Sequence, residues 1–122
     1  MAFDRRLADR VLDVVTYDDG LGELRLFGGW GITIDGNMAV GVIEDDLIVR
    51  VGADYYPSAL KRAGARPFDF TGRSMTGWVY VDASTLTRRA TLASWVDRGI
   101  TYAKSLPPKT STGRSTAQAS ES

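Results

Sequence analysis

The sequence contains neither cysteine nor histidine in its 122 residues. The lack of cysteine excludes disulfides, thiolate nucleophiles and cysteine-ligated zinc, and the lack of histidine removes the commonest general base and metal ligand. Apolar runs are only a few residues long, whereas a helix that spans a membrane needs about 20. The N-terminal residues also lack a hydrophobic signal region. These absences predict a cytoplasmic protein with no cofactor and none of the common catalytic sites.

The sequence has no excess of charge, because 15 basic residues balance 15 acidic ones. A nucleic-acid binder usually has a basic excess or a basic stripe, since phosphate neutralisation supplies most of its non-specific affinity. The densest basic positions, Arg5-Arg6 and Arg88-Arg89, lie in predicted helices beside acidic or polar neighbours. We interpret them as solvated helix faces. Direct DNA binding is therefore not supported by the sequence.

Hydrophobic periodicity predicts three helices. Apolar residues at helical spacing behind the capping residue Asp4 predict a helix over residues 4–16. Residues 54–64 begin with a capping aspartate and end in glycine, which is typical of a short helix. An apolar stripe predicts a third helix over residues 88–105, with Thr87 as its cap.

An alternation with period two predicts strands between the first two helices. In the first strand, Trp30, Ile32 and Ile34 share one face. The next strand is predicted to divide its side chains between two faces, with Met38, Val40 and Val42 opposite Ala39, Gly41 and Ile43. Asp35-Gly36-Asn37 is the predicted turn between these strands, since such residues tolerate positive φ. A third strand is predicted over residues 47–51.

Two more strands are predicted over residues 67–70 and 78–81, joined by a loop over residues 71–74. The predicted order is therefore α-β-β-β-α-β-β-α. Beyond Pro107-Pro108 the sequence is rich in Ser, Thr, Gly, Ala and Gln, and such a segment has too little apolar surface to offset its ordering entropy. We expect one domain over residues 1–106 and a disordered Ser/Thr-rich tail over residues 107–122.

The glycines around Trp30 raise the question of a nucleotide site. Gly28, Gly29 and Gly31 precede a predicted strand, whereas a dinucleotide fingerprint requires a third spaced glycine and a following helix. No Gly-Lys-Ser/Thr P-loop occurs in the sequence either. We interpret these glycines as a bend or bulge at which a neighbouring backbone approaches closely.

Catalytic candidates lack their companion groups. Ser58 and Lys61 have the spacing found in penicillin-recognising enzymes, but the accompanying motifs are missing. One alternative to a protein-interaction role stays open at this point. It is a small enzyme or ligand-binding domain in which Asp69, Arg50 and Tyr80 converge on a pocket.

An ordered set of segments resembles the N-terminal domain of the TfoX/Sxy family of competence regulators. The set runs from about Leu7 to Leu106 and comprises Phe27-Gly28-Gly29-Trp30-Gly31-Ile32, Asp35-Gly36-Asn37-Met38, the strand over residues 47–51, Pro67-Phe68-Asp69-Phe70, Trp78-Val79-Tyr80 and the helix around Leu92 and Trp95. The order and the gaps of the set are similar to those of the family. Leu26 and Trp30 depart from the family pattern, which commonly has methionine and tyrosine there.

The resemblance implies a two-layer α+β domain, an antiparallel sheet with helices on one side, similar in architecture to type III secretion chaperones. It also implies a non-enzymatic role in transcription regulation, because the family's regulators act with the cyclic-AMP receptor protein at promoters. Full-length regulators of this type carry a second, helical C-terminal domain. In this sequence the predicted tail stands where that domain would begin.

A sheet covered on one side leaves its other face available for contacts. Here that face is predicted to carry Gly31, Thr33, Gly41 and Arg50 with Ile43 and Ile48, and Trp78 and Tyr80 are expected at its edge. We expect a protein partner, with transcription proteins or a second copy of the chain as candidates. The predicted interaction and family-motif residues are Phe27, Gly28, Gly29, Trp30, Gly31, Gly36, Arg50, Trp78 and Tyr80. No residue is predicted to be catalytic or to ligate a metal.

Overall fold

The computed structural model describes residues 3–15, 20–26, 28–69, 72 and 75–108. The helices and strands of this part of the chain are α1 (Arg5–Val14), β1 (Leu21–Leu26), β2 (Gly29–Ile34), β3 (Asn37–Ile43), β4 (Asp46–Arg50), α2 (Tyr56–Ala59), β5 (Ala65–Pro67), β6 (Trp78–Val81) and α3 (Arg89–Lys104). The strands form a six-stranded antiparallel sheet in the order β1-β2-β3-β4-β6-β5. The predicted α+β class is confirmed, and the predicted elements follow one another in the predicted order, with one additional strand, β1, after the first helix.

The helices cover one face of the sheet. Buried residues of α1, α2 and α3 join alternate residues of the strands in one apolar cluster, and α3 packs across β2, β3 and β4. Trp95 and Val96 lie at the centre of this layer and are fully buried. The predicted two-layer arrangement is therefore present, because one stripe of each long helix is apolar and is buried by packing on the sheet and on the neighbouring helix.

The first helix begins where its sequence predicts. The carboxylate of Asp4 accepts hydrogen bonds from the backbone N–H groups of Arg6 and Leu7, at 2.9 and 3.3 Å. These bonds satisfy amides that have no partner within the helix. The helix ends at Val14, since Val15 has an extended backbone conformation. Residue 16, the last of the predicted helix, lies outside the described residues.

The prediction that Met38 shares a face with Val40 and Val42 is wrong. The register between β2 and β3 shifts between Ile32 and Thr33, so that Ile32 pairs with Val40 and Thr33 pairs with Met38. Such a bulge adds a residue to one strand and moves the side chains beyond it to the opposite face. Ala39 consequently joins the helix-covered core with Val40 and Val42, while Met38 lies on the other face against Gly31 and Gly41.

The structure differs from the prediction at three further elements. A strand that was not predicted, β1, pairs with β2 along its whole length. Its mixture of leucine, glycine and charge obscured the alternation, since an edge strand is less fully buried than a central one. The predicted helix over residues 54–64 is only one turn long at Tyr56–Ala59, and the predicted strand over residues 67–70 lies earlier, at Ala65–Pro67.

The predicted loop over residues 71–74 and the predicted tail over residues 107–122 lie largely outside the described residues. Within the described part of the chain, no helix is long and apolar enough to cross a membrane.

Candidate interaction surface

A second apolar cluster lies on the face of the sheet that the helices do not cover. Ile43, Ile48 and Phe68 are buried in it, and Trp78 and Tyr80 are half-buried against them. The Phe68 ring meets the Tyr80 ring edge-on, with centroids 4.9 Å apart. Aromatic pairs in this geometry add to the stability that burial alone provides. The cluster therefore holds two surface aromatic rings in fixed positions.

The strand register brings an arginine beside these rings. In the antiparallel pair of β4 and β6, Arg50 lies opposite Trp78 and Ile48 lies opposite Tyr80. The guanidinium carbon of Arg50 is 5.1 Å from the centroid of the Trp78 ring and 5.5 Å from that of Tyr102 on α3. A cation at these distances is attracted by the ring quadrupoles. Two rings on separate elements thus orient one cation.

A glycine makes this arrangement possible. Gly52 has a φ of +88°, and a Cβ atom at this position would lie 2.5 Å from Cε1 of Tyr102. A side chain there would be strained by the backbone and would displace the Tyr102 ring. Sequence reasoning missed Tyr102 as a member of this site, because its place in the predicted helix gave no sign of contact with the end of β4. The one signal was a glycine directly after a strand.

A second cation–aromatic pair lies beside the first. The guanidinium of Arg66 is 4.7 Å from the Tyr80 ring centroid and forms an ion pair with Asp46 at 2.8 Å. Within the described part of the chain, the ion pairs are this one and the pair of Arg89 with Asp13. Arg50 therefore has no carboxylate within ion-pairing distance among the described residues. We call Arg50, Arg66, Phe68, Trp78, Tyr80 and Tyr102 the aromatic–arginine surface.

The predicted site residues divide into two groups in the structure. Arg50, Trp78 and Tyr80 lie together on the aromatic–arginine surface. Trp30 lies in the helix-covered core, where it is 5% exposed, and its Nε1–H donates to the carboxylate of Glu23 at 2.8 Å. Phe27 lies outside the described residues.

The glycines at the predicted site positions are required by the conformation and the close packing of the backbone. A Cβ atom on Gly29 would collide with the carbonyl oxygen of Val42, and one on Gly31 would lie 2.8 Å from Cε of Met38. Gly36 has a φ of +84° in the turn between β2 and β3, and Gly28 has a φ of +78°. These glycines allow a tight turn and close strand packing. None of them begins a helix that could hold a phosphate.

The trio of Asp69, Arg50 and Tyr80 does not converge on one point. Asp69 is close enough to Tyr80 to influence its ionisation, but the guanidinium of Arg50 lies against Trp78 and Tyr102 instead. A neighbouring cleft of about 500 Å³ is lined by Tyr55, Arg98 and Tyr102, among others. In the described residues, no group of three Asp or Glu side chains is placed to hold a metal ion.

Burial raises the pKa of the Tyr80 hydroxyl above its ordinary value, Asp69 and Asp46 raise it further, and Arg66 lowers it. We expect Tyr80 to ionise at higher pH than free tyrosine, and Asp69→Asn to lower its pKa. Because the pKa of Tyr80 is higher in the folded state than in the unfolded state, its protonated hydroxyl contributes its full amount to the free energy of unfolding below about pH 10. This contribution is lost as the pH rises through the pKa of the folded state.

An ultraviolet titration of the wild type minus that of Tyr80→Phe isolates this hydroxyl among the 5 tyrosines. A Tyr80 titration that is unchanged by Asp69→Asn would contradict the placement of Asp69.

The family model of the TfoX N-terminal domain matches residues 19–103, which include the whole sheet and all but the last residue of α3. Searches of curated proteins and of solved structures gave no match.

Proposed function

The chain belongs to the TfoX N-terminal domain family, and on that premise we propose that it is a non-enzymatic protein-interaction module that serves a transcriptional co-regulator or adaptor in the cytoplasm. The family is not a known enzyme family. The observation that supports the proposal is the aromatic–arginine surface, in which the Arg50 guanidinium lies within cation–π distance of both the Trp78 and the Tyr102 rings. The proposed partner contacts this surface.

The residue types of this surface are those that dominate binding energy in protein interfaces. Tryptophan, tyrosine and arginine are enriched among interface residues whose truncation weakens binding most. Trp78 and Tyr80 are half-buried, so that part of each side chain is packed and part is available to a partner. Because the rings rest on buried Phe68 and Ile48, binding orders few additional side-chain torsions. The surface is thus organised before a partner arrives.

The charge of the surface favours a partner segment that contains a carboxylate. Arg50 carries five N–H donors in a fixed plane, and within the described residues no carboxylate is in ion-pairing range of it. A carboxylate that docks edge-on against a guanidinium can form two parallel hydrogen bonds while the faces of the guanidinium stay on the aromatic rings. We therefore propose an acidic segment with a neighbouring apolar residue as the feature that the surface recognises.

We expect Arg50→Ala and Trp78→Ala each to weaken partner binding by about tenfold or more, as is typical of central interface residues. The tagged wild type and variants would be used to capture proteins from the lysate of the native host, and the captured proteins compared by mass spectrometry. A protein captured by the wild type and depleted with both variants would then be purified and its affinity measured by calorimetry. Arg89→Ala is the matched control, because Arg89 is an exposed arginine whose contact is with Asp13.

Nuclease treatment of the lysate separates direct contacts from bridging by DNA. Capture that survives nuclease and is lost with Arg50→Ala supports the proposed surface. Capture that is lost with nuclease points to DNA as the bridge, and binding of that kind weakens steeply with salt. Equal capture by the wild type, Arg50→Ala and Trp78→Ala would refute the proposed surface, and a thermal-shift screen with metabolites would then test a ligand-binding role.

A further inference from the structure

One edge of the sheet has no neighbouring strand among the described residues. The sheet order places β1 at this edge, and β1 pairs with β2 on its inner side only. The strand is six residues long and contains no proline. A strand of this kind presents a row of backbone donors and acceptors that can pair with another chain. The opposite edge strand, β5, has three residues, one of them Pro67, and is a poorer template.

The hydrogen bonding of β1 shows which of its residues point toward the free edge. The backbone N–H of Asp35 donates to the carbonyl of Gly20 at 2.8 Å, in continuation of the β1–β2 register. In an antiparallel pair, successive residues direct both of their backbone polar groups alternately toward and away from the neighbouring strand. The backbone N–H and C=O groups of Leu24 therefore point toward β2, whereas those of Glu23 and Arg25 point toward the free edge.

These directions leave few ways for β1 to pair with a second copy of itself. A two-fold axis that relates two copies of β1 must place residues whose backbone groups point toward the free edge opposite one another. An axis that passes through Glu23 places the Glu23 residues of the two copies opposite each other, and an axis through Arg25 does the same with the two Arg25 residues. An axis at Leu24 sets Glu23 of each copy against Arg25 of the other. An axis at Gly22 sets Glu23 of each copy against Leu21 of the other and leaves the charges without a partner. Like charges placed directly opposite are destabilising and unlike charges are stabilising. Of these registers, the one with its axis at Leu24 is therefore favoured, because it alone sets opposite charges against each other.

The surroundings of the edge agree with this register. In this register Leu24 would lie opposite its own symmetry copy as a non-hydrogen-bonded pair, in which Cα atoms are about 4.5 Å apart and side chains are close. An open cleft of about 230 Å³ runs beside β1 and is lined by Leu12, Glu23 and Arg25, among others. Leu12 is 40% exposed, the most exposed large apolar side chain of the described residues. The edge thus has apolar surface beside it as well as complementary charge.

We infer that two copies of this chain associate through β1, antiparallel and centred on Leu24, to form one continuous sheet across both copies. The residues opposite each other are Glu23 and Arg25 of the two copies, with four backbone hydrogen bonds between them. This association does not depend on the proposed partner surface, since β1 lies at the far end of the sheet from β5 and β6. A contact built on one short strand is small, and the dimer is therefore reversible and dependent on concentration.

A charge-reversal cycle tests the register by sedimentation equilibrium of the full chain at concentrations from about 1 µM to about 500 µM, the range expected of a small interface. Glu23→Arg and Arg25→Glu each place like charges opposite at both pairs, and each is expected to raise the dimer Kd by about tenfold or more. Glu23→Arg also removes the acceptor of the Trp30 Nε1–H bond, so Arg25→Glu is the variant that isolates the effect of charge. A mixture of the two variants restores opposite charges at both pairs and is expected to form a heterodimer. Arg88→Glu, at an exposed position, changes the charge by the same amount as Arg25→Glu and is the control for that variant.

Amide hydrogen exchange provides a measurement on the unchanged protein. The amides of Glu23 and Arg25 are expected to gain protection as the concentration rises, while the amide of Leu24, which faces β2, stays equally protected. A wild type that is monomeric throughout, a Glu23→Arg variant that dimerises as the wild type does, or variants that do not associate on mixing would each overturn the inference. Arg50→Ala is expected to dimerise normally, so that failure of the partner surface and failure of this dimer are distinguishable.

Discussion

Replacing Gly99 with alanine is expected to lower the free energy of unfolding by about 2 kcal/mol, although alanine is by about 1 kcal/mol the better helix former. Gly99 lies within α3, where the helix crosses β3. A Cβ atom there would lie 2.5 Å from the carbonyl oxygen of Ala39 and 2.7 Å from Cγ1 of Val40. Because one of these atoms belongs to the backbone of a central strand, it cannot move aside as a flexible side chain would. The helix must instead shift away from the sheet.

Thermal and denaturant unfolding measure this effect, and a loss of about 2 kcal/mol corresponds to a fall in Tm of about 10 °C for a domain of this size. Thr101→Ala is the matched control, since Thr101 is an exposed residue on the same helix. It is expected to leave stability unchanged or slightly higher. A Gly99→Ala variant that is more stable than the wild type would show that α3 and β3 are not in close contact at this point.

Replacing Trp95 with alanine is expected to lower the free energy of unfolding by about 3–5 kcal/mol, the range for large aromatic residues in a core. The Trp95 side chain is 0% exposed and is the largest of the fully buried side chains. The guanidinium of Arg62 also lies 3.7 Å from its ring centroid. Loss of the ring leaves a cavity under α3 and removes that cation–π contact.

Trp78→Ala is the comparison for this variant. Trp78 is half-buried on the aromatic–arginine surface, so we expect a smaller loss of stability together with a loss of partner binding. Trp95→Ala is expected to show the reverse pattern under conditions where it remains folded. If both variants lost stability equally and Trp78→Ala kept full partner binding, the separation of a core tryptophan from a surface tryptophan would be wrong.

Local patterns in the sequence were sufficient for most elements of the fold. The cap at Asp4, the turn at Asp35-Gly36-Asn37 and the apolar stripe of α3 each depend on interactions within a few residues, and the structure contains all three. The β1 strand was missed because its character depends on its position at the sheet edge. The face of Met38 was predicted wrongly because a bulge is a property of two paired strands, and one strand alone does not show it.

The candidate site was predictable in part. Arg50, Trp78 and Tyr80 stood out from the sequence, because aromatic residues and arginine on an open sheet face are typical of contact surfaces. Their adjacency depends on β4 pairing with β6, two strands separated by α2 and β5 in the chain. The contribution of Tyr102 depends on α3 ending beside Gly52. Such contacts join distant segments, so residue spacing in the sequence does not reveal them.

By itself, the sequence of this protein determined the α+β class, the order of its main elements, the family and the absence of the usual catalytic groups. These properties follow from periodicity, turn chemistry and composition, which act locally or over the whole chain. Only the tertiary structure decided the register of the sheet, the face on which Met38 lies, the reason for glycine at position 99 and the contact of Arg50 with two rings. Each of these depends on which distant backbones are paired, since pairing determines where side chains meet and where no side chain fits.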